Sequence, residues 1–318
     1  MAILTIFSVP KPFTDPHIAI IQSNAIQSWK ALGPDVDIIL IGDEEGLAEA
    51  AVRYGVRNIP NVARNEYGTP LVSSVFTLAR QDSDSPLLAY VNADILLLPD
   101  FLVGARQLFS GTAFDGRPIS RFLLVGRRWN LNVNEALNFS SGWESLLRAA
   151  VAARGRLQSP HGSDHFIFPR SVFEDIPDFA IGRSGWDNWM IYHAITQGWM
   201  VADTSASMLI IHQEHDYSHL PGGQIHHHQP ESIQNMNLAG GKSHIYLLLD
   251  IDKILVNGKI RKSPLTLPRL LRKLELLFMP RDHDPSGLRR RLISQLRRWR
   301  VSQTKKEQRN HAVNRIPD

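Results

Sequence analysis

Cysteine is absent from the 318 residues. That removes disulfides and thiolate chemistry together and suits a cytoplasmic protein. Long apolar runs are missing too. No segment approaches the roughly 20 residues a bilayer span needs, and the opening MAILTIFSVPKPF lacks the basic start and apolar core of a secretory signal. The first apolar run leads into Ser8-Val9-Pro10-Lys11-Pro12-Phe13 and not into a glycine-rich turn. Neither a dinucleotide fingerprint nor a Walker-type phosphate loop is therefore present. No internal repeat is found.

What remains is ordinary for a globular chain: 43% hydrophobic and 21% charged residues. The net charge of +4 hides an asymmetry. Residues 253–318 carry 18 Lys and Arg against 5 Asp and Glu, and residues 1–252 carry 17 against 26. An acidic body with a basic tail points the tail, and only the tail, to a polyanionic surface.

One stretch organises the rest. Leu87 to Val91 is a short apolar run, as in a strand buried on both faces. It is interrupted by Asn92-Ala93-Asp94 and resumes from Ile95 to Leu98. A carboxylate inside such a run is costly unless paired or bound to a metal. Ligands of open α/β sheets gather beyond the carboxyl ends of strands. Asp94 is thus a candidate ligand for a cation that carries phosphates, or else a turn cap.

Around it, strands alternate with helices. Ala2–Val9 and Val36–Ile41 read as strands. Asp15-Pro16 caps and opens a helix that Gly33-Pro34 ends, Leu47–Tyr54 is a second helix, and Thr69-Pro70 starts a third. Alternation at this spacing implies a mainly parallel sheet. Further along, Pro99-Asp100 opens a helix, residues 121–126 and 165–168 read as strands, residues 135–154 as a helix, and Gly185-Trp186-Asp187-Asn188-Trp189 begins another helix. Strands are expected again at 199–202 and 208–211, and 213–241 reads as a flap or lid. From Ser263 two helices carry apolar stripes among arginines: Leu270, Leu271, Leu274 and Leu277, then Leu288, Leu292, Ile293, Leu296 and Trp299. Basic amphipathic helices favour anionic membranes. Docking of the stripes on the body or on a second subunit is the alternative. Residues after Ser302 are expected to be disordered.

The order of these elements, with Val91-Asn92-Ala93-Asp94, Gly185-Trp186-Asp187-Asn188-Trp189 and Ile210-Ile211-His212, resembles the GT-A-fold nucleotide-sugar glycosyltransferase superfamily over roughly residues 1–220. The resemblance implies a single GT-A-like α/β domain over 1–262, with a nucleotide-binding half (1–110) and an acceptor half with flap (111–262). Basic amphipathic helices (263–302) and a tail (303–318) follow. It also implies hexosyl transfer from a nucleotide-diphospho sugar to a glycan or other hydroxyl, assisted by Mn²⁺ or Mg²⁺ on Asp94 and His212. Donor-binding positions would be Pro10, Lys11, Asp43, Arg64, Asn65, Asn92 and Asp94. The family's motif has two acids; Asn92 replaces the first, so Asp94 is its sole acid and weaker divalent binding is expected.

On chemical grounds Asp187, at a helix start between two tryptophans, is the base or acceptor-orienting carboxylate, or simply a cap with a low pKa. Trp186 and Trp189 are stacking surfaces for an acceptor sugar, or core. Asp164 holds sugar hydroxyls or makes a turn. His212, His215 and His219 resemble a zinc cluster but lack the helical H-E-x-x-H arrangement. His226, His227 and His228 suit a solvated loop near donor phosphates. The rival functions are a nucleotidyltransferase on a similar sheet and an inactive scaffold anchored by its tail. No nucleic-acid partner is expected. The place expected for the chain is the cytoplasm, peripheral on the inner face of a membrane.

Overall fold

The computed structural model describes residues 1–111, 119–215, 229–280 and 285–311. In the first third, β1 (Leu4–Ser8), β2 (Val36–Ile41), β3 (Arg57–Ile59) and β4 (Leu87–Val91) alternate with α1 (Pro16–Lys30), α2 (Leu47–Tyr54) and α3 (Val72–Gln81). Asp15 caps α1 by accepting from the His17 and Ile18 amides, 2.8 and 2.9 Å away, ahead of Pro16. β5 (Ile95–Leu96), α4 (Asp100–Phe109), β6 (Phe122–Val125), β7 (Trp129–Leu131), α5 (Trp143–Arg154), β8 (Arg156–Leu157) and β9 (His165–Pro169) follow. Then come α6 (Trp186–Thr196), β10 (Met200–Asp203), β11 (Ile211–Gln213), α7 (Pro230–Leu238), the hairpin β12 (Lys253–Val256) and β13 (Lys259–Lys262), α8 (Leu267–Phe278) and α9 (Gly287–His311).

These strands make two sheets. Nine are ordered β13-β12-β10-β6-β9-β4-β1-β2-β3, and four are ordered β5-β11-β7-β8. The expectation of a single GT-A-like domain on one mainly parallel sheet is corrected by this, and so is the superfamily resemblance that rested on it. The physical reason lies at Asn92–Asp94. The apolar run does not continue as one strand through that interruption. It turns there, and Ile95–Leu96 starts the second sheet, antiparallel to β11. The large sheet is mixed as well: β9 runs antiparallel between β4 and β6, pairing Val91 with His165.

Period-two alternation divides the core. Leu88, Tyr90, Phe166 and Phe168 face one side with α3 and α6, and Leu87, Ala89, Val91 and Ile167 face the other with α1 and α4. A third cluster, including Trp129, Trp143 and Ile211, packs the small sheet against α5.

The carboxyl-terminal helices dock. On α8 the buried side chains are Pro268, Leu271, Arg272 and Glu275; on α9 they include Ile293, Arg300 and Thr304. Arg300 donates to Glu275 at 2.6 Å, and Arg272 donates to both oxygens of Asp250 at 3.0 Å. The helix continues through His311, where disorder was expected after Ser302. Within the expected flap, residues 230–238 are helical; His219, His226, His227 and His228 lie outside the described residues. No described helix is long and apolar enough to cross a membrane.

Candidate functional site

The second sheet assembles the site. Its antiparallel pairing sets His212 opposite Ile95, one residue from Asp94, and the Gln213 amide donates to the Asp94 carbonyl at 3.1 Å. Two residues past β11, His215 returns to the same carboxylate. Asp94 Oδ2 lies 3.4 Å from His212 Nε2 and 3.1 Å from His215 Nε2. One ligand atom from each of the three residues fits within 4.8 Å of the others. The remaining Asp94 oxygen, Oδ1, is buried with no partner among the described residues. Burial alone would raise the Asp94 carboxyl; the charge of His212, the hydrogen bonds from His212 and His215, and the charge of Arg128 behind outweigh it and hold the group well below the usual carboxylate range. A buried, unpartnered carboxylate oxygen beside two imidazoles fits a divalent cation, and nitrogen ligands favour Mn²⁺ over Mg²⁺.

Asn92 does not point at this cluster. Its amide donates 2.8 Å to Asp164 Oδ1, and its backbone N–H donates to the Asp164 carbonyl at 2.9 Å, continuing the β4–β9 ladder beyond Val91. Arg128 also donates to Asp164 Oδ1. Asp164 is therefore held by two donors, one from the turn after β4 and one from the loop before β7.

A cavity of about 630 Å³ opens over these groups, at the carboxyl ends of β1, β2 and β4 and the start of α6. Of the residues expected at the site, Pro10, Lys11, Arg64, Asn92, Asp94, Asp164, Trp186, Asp187 and His212 line it. Lys11 is fixed by a reciprocal pair with Gln22 of α1: its N–H donates to Gln22 Oε1 at 2.6 Å and its carbonyl accepts from Gln22 Nε2 at 3.0 Å. Arg64 donates to two consecutive residues of the loop after β2, Asp43 and, at 2.9 Å, Glu44. Three expected residues sit elsewhere. Asp43 is at the outer side of Arg64, Asn65 donates to Glu231 at 2.8 Å, and Trp189 is packed between Phe179 and His193, at 5.2 and 4.7 Å between ring centroids.

Of the two readings of Asp187, the geometry departs from the simple cap with a low pKa. Gly185 precedes α6 with φ of 110°, a conformation L side chains rarely adopt, and it swings the first turn into the cavity. Trp186 then packs on Tyr90 and Phe166, 5.1 and 5.4 Å away, and seals one side of the next residue. Burial pushes the Asp187 carboxyl up to about 6; neighbouring backbone N–H groups lower it without compensating, and Asp164 adds to the rise. Asn188 ties the same turn to the 158–164 loop by donating 2.9 Å to the His161 carbonyl.

The sequence alone did not nominate Arg128 or Arg183, and it placed His215 in a zinc-like histidine run without joining it to Asp94. His215 carried a signal, three residues after a strand-end histidine. Arg128 carried none, since only the fold brings the residue before β7 to Asp164, the residue before β9. Arg183 lines the cavity and donates 2.6 Å to Glu231 on α7, in the stretch expected to be a flap.

No protein-family model matches the chain, and no curated protein matches it in sequence. Distant structural likenesses exist. S. aureus TarS aligns at 11% identity over 87% of this chain and 44% of that one, with a TM-score of 0.47. A mannosyltransferase from Pyrobaculum calidifontis, PcManGT, in complex with GDP-Man and Mn²⁺, aligns at 12% over 99% and 76%, with a TM-score of 0.42. Glucosyl-3-phosphoglycerate synthase from Mycobacterium tuberculosis aligns at 14% over 67% and 73%, with a TM-score of 0.40. The match spans 60% of the TarS 1–349 fragment.

Proposed function

We propose that the chain transfers a sugar from a nucleotide-diphospho sugar to an acceptor hydroxyl. The observation that carries the reading is one cavity with two kinds of carboxylate. Asp94 is held ionised with His212 and His215 and keeps a buried free oxygen, while Asp187 is pushed up to about 6. The first kind suits a cation that neutralises a leaving diphosphate; the second suits a group that takes a proton near neutral pH.

Asp94, His212 and His215 would hold a divalent ion, which supplies Lewis-acid stabilisation of phosphate oxygens when bound. Pro10, Lys11 and Arg64 receive the nucleotide, with Asp43 and Asn65 acting from behind through Arg64 and Glu231. Asn92 and Arg128 fix Asp164 to accept hydrogen bonds from sugar hydroxyls. Trp186 presents an apolar wall to the acceptor, and Trp189 supports the same helix from the core. Asp187 takes the acceptor hydroxyl proton as its oxygen bonds to the anomeric carbon. The bond from that carbon to the diphosphate oxygen breaks, and the nucleoside diphosphate leaves with the electron pair. The product has inverted configuration.

The test is a panel of nucleotide sugars with Mn²⁺ and simple acceptors, read by release of nucleoside diphosphate. Turnover that depends on Asp94 is expected. Pyrophosphate release would replace the reading with nucleotidyl transfer. The absence of metal-enhanced nucleotide binding in calorimetry would replace it with a scaffold.

A further inference from the structure

We infer that the outer face of α8 and α9 is a docking surface for an anionic lipid bilayer, on which the helices lie flat. Each of these helices has two faces. The inner one is the docked face built on Glu275 and Arg300. The outer one carries large apolar side chains with no cover. On α8, Leu267, Leu270 and Leu277 are 41%, 44% and 73% exposed; on α9, Leu288, Leu292 and Trp299 are 82%, 38% and 52% exposed. At 100° per residue, the three on each helix fall on one stripe. Seven of the fifteen large apolar residues exposed among the described residues lie between Leu265 and Trp299, six of them on two helices that pack against each other, so they are gathered here and not scattered singly.

The charge around the stripes selects the partner. Arg291 and Arg298 flank the α9 stripe on one side, Lys273 borders that of α8, and all three are exposed. The acid of α8, Glu275, is fully buried among Arg272, Arg297 and Arg300, so it offers nothing to an incoming cation. An apolar stripe with an indole, bordered by cations and without an exposed acid, matches the interface of a negatively charged leaflet. A second copy would bring two such basic faces together and is disfavoured by like charge. No described helix can cross the bilayer, so the contact is interfacial.

The test uses the full chain, because Arg300 also donates to His161 at 2.8 Å, three residues from Asp164, and truncation would disturb the cavity. Cosedimentation is measured with vesicles of phosphatidylcholine alone and with about a third phosphatidylglycerol. Binding only to the anionic vesicles is expected, weakening as NaCl is raised. The double variant Leu277→Glu/Leu288→Glu and the single variant Trp299→Glu should each lose about tenfold or more in partition coefficient, while circular dichroism is unchanged. Retention of the wild-type chain in the supernatant overturns the inference. So does equal sedimentation of well-folded variants. Loss of self-association in sedimentation velocity, with vesicle binding intact, would assign the face to a second copy instead.

Discussion

Asp187→Asn should make the protein less active and more stable, and the two effects have one cause. The carboxyl is pushed up to about 6 from an ordinary 3.8, chiefly by burial. At about 1.36 kcal/mol per pKa unit, keeping it ionised in the folded state costs at most about 3 kcal/mol. The side chain is only partly buried and borders the cavity, and solvent there reduces the penalty to about 1–2 kcal/mol. The sign follows from proton linkage. The folded state holds this proton more tightly than the unfolded chain, so the contribution is fully present below about pH 4 and is lost as pH rises through about 6. Asparagine has no charge to desolvate. Urea titrations of wild type and variant should coincide near pH 4 and separate by about 1–2 kcal/mol in the variant's favour at pH 8, with unchanged m. Activity at pH 8 should fall by about 10²–10⁴, and the acid limb of kcat/KM near pH 6 should disappear. A variant no more stable than wild type at pH 8 would refute the burial argument. An acid limb that survives in the variant would remove Asp187 from proton transfer.

Three further outcomes follow from the same geometry. Asp94→Ala should weaken Mn²⁺ binding by more than the roughly 10–100-fold loss typical of outer-shell changes, read by calorimetry without any donor; wild-type affinity would remove Asp94 from the metal set. Mn²⁺ affinity of the wild type should fall on acidification, because an imidazole ligates only in its neutral form; flat affinity between pH 5 and 8 would argue against imidazole ligation. Arg300→Met removes one partner of a buried pair but leaves Glu275 within 3.6 Å of Arg272 and 3.9 Å of Arg297, so the destabilisation should sit at or below the low end of about 3–5 kcal/mol; a change under about 0.5 kcal/mol would show that α9 contributes little to the fold.

The sequence was most readable where local chemistry decides the structure and least readable where topology does. The Asp15-Pro16 start of α1, the buried strand at Leu87–Val91 and the turn at Asn92–Asp94 all follow from capping, apolar runs and a carboxylate too costly to leave unpartnered. The second sheet does not, because β5, β7, β8 and β11 are two or three residues long. Strands so short carry almost no periodicity of their own. They hold together because the Trp129 and Ile211 side chains find Trp143 and Leu147 of α5, a match no single segment announces. The same limit governs the candidate site. Asp94, His212 and Asp187 were visible as residue types at element ends. Their environments were not: a helix start ordinarily depresses an aspartate, yet here Trp186 and the sheet exclude enough water for burial to exceed the backbone N–H contribution. Asn92 shows the limit from the other side. Read along the chain it is a weakened metal ligand beside Asp94, and read in space it belongs to Asp164, seventy-two positions away. An acid at position 92 would face the Asp164 carboxylate 2.8 Å from the same oxygen and repel it, whereas the amide donates. The asparagine is thus explained by its partner across β4 and β9, whatever charge it withholds from a cation.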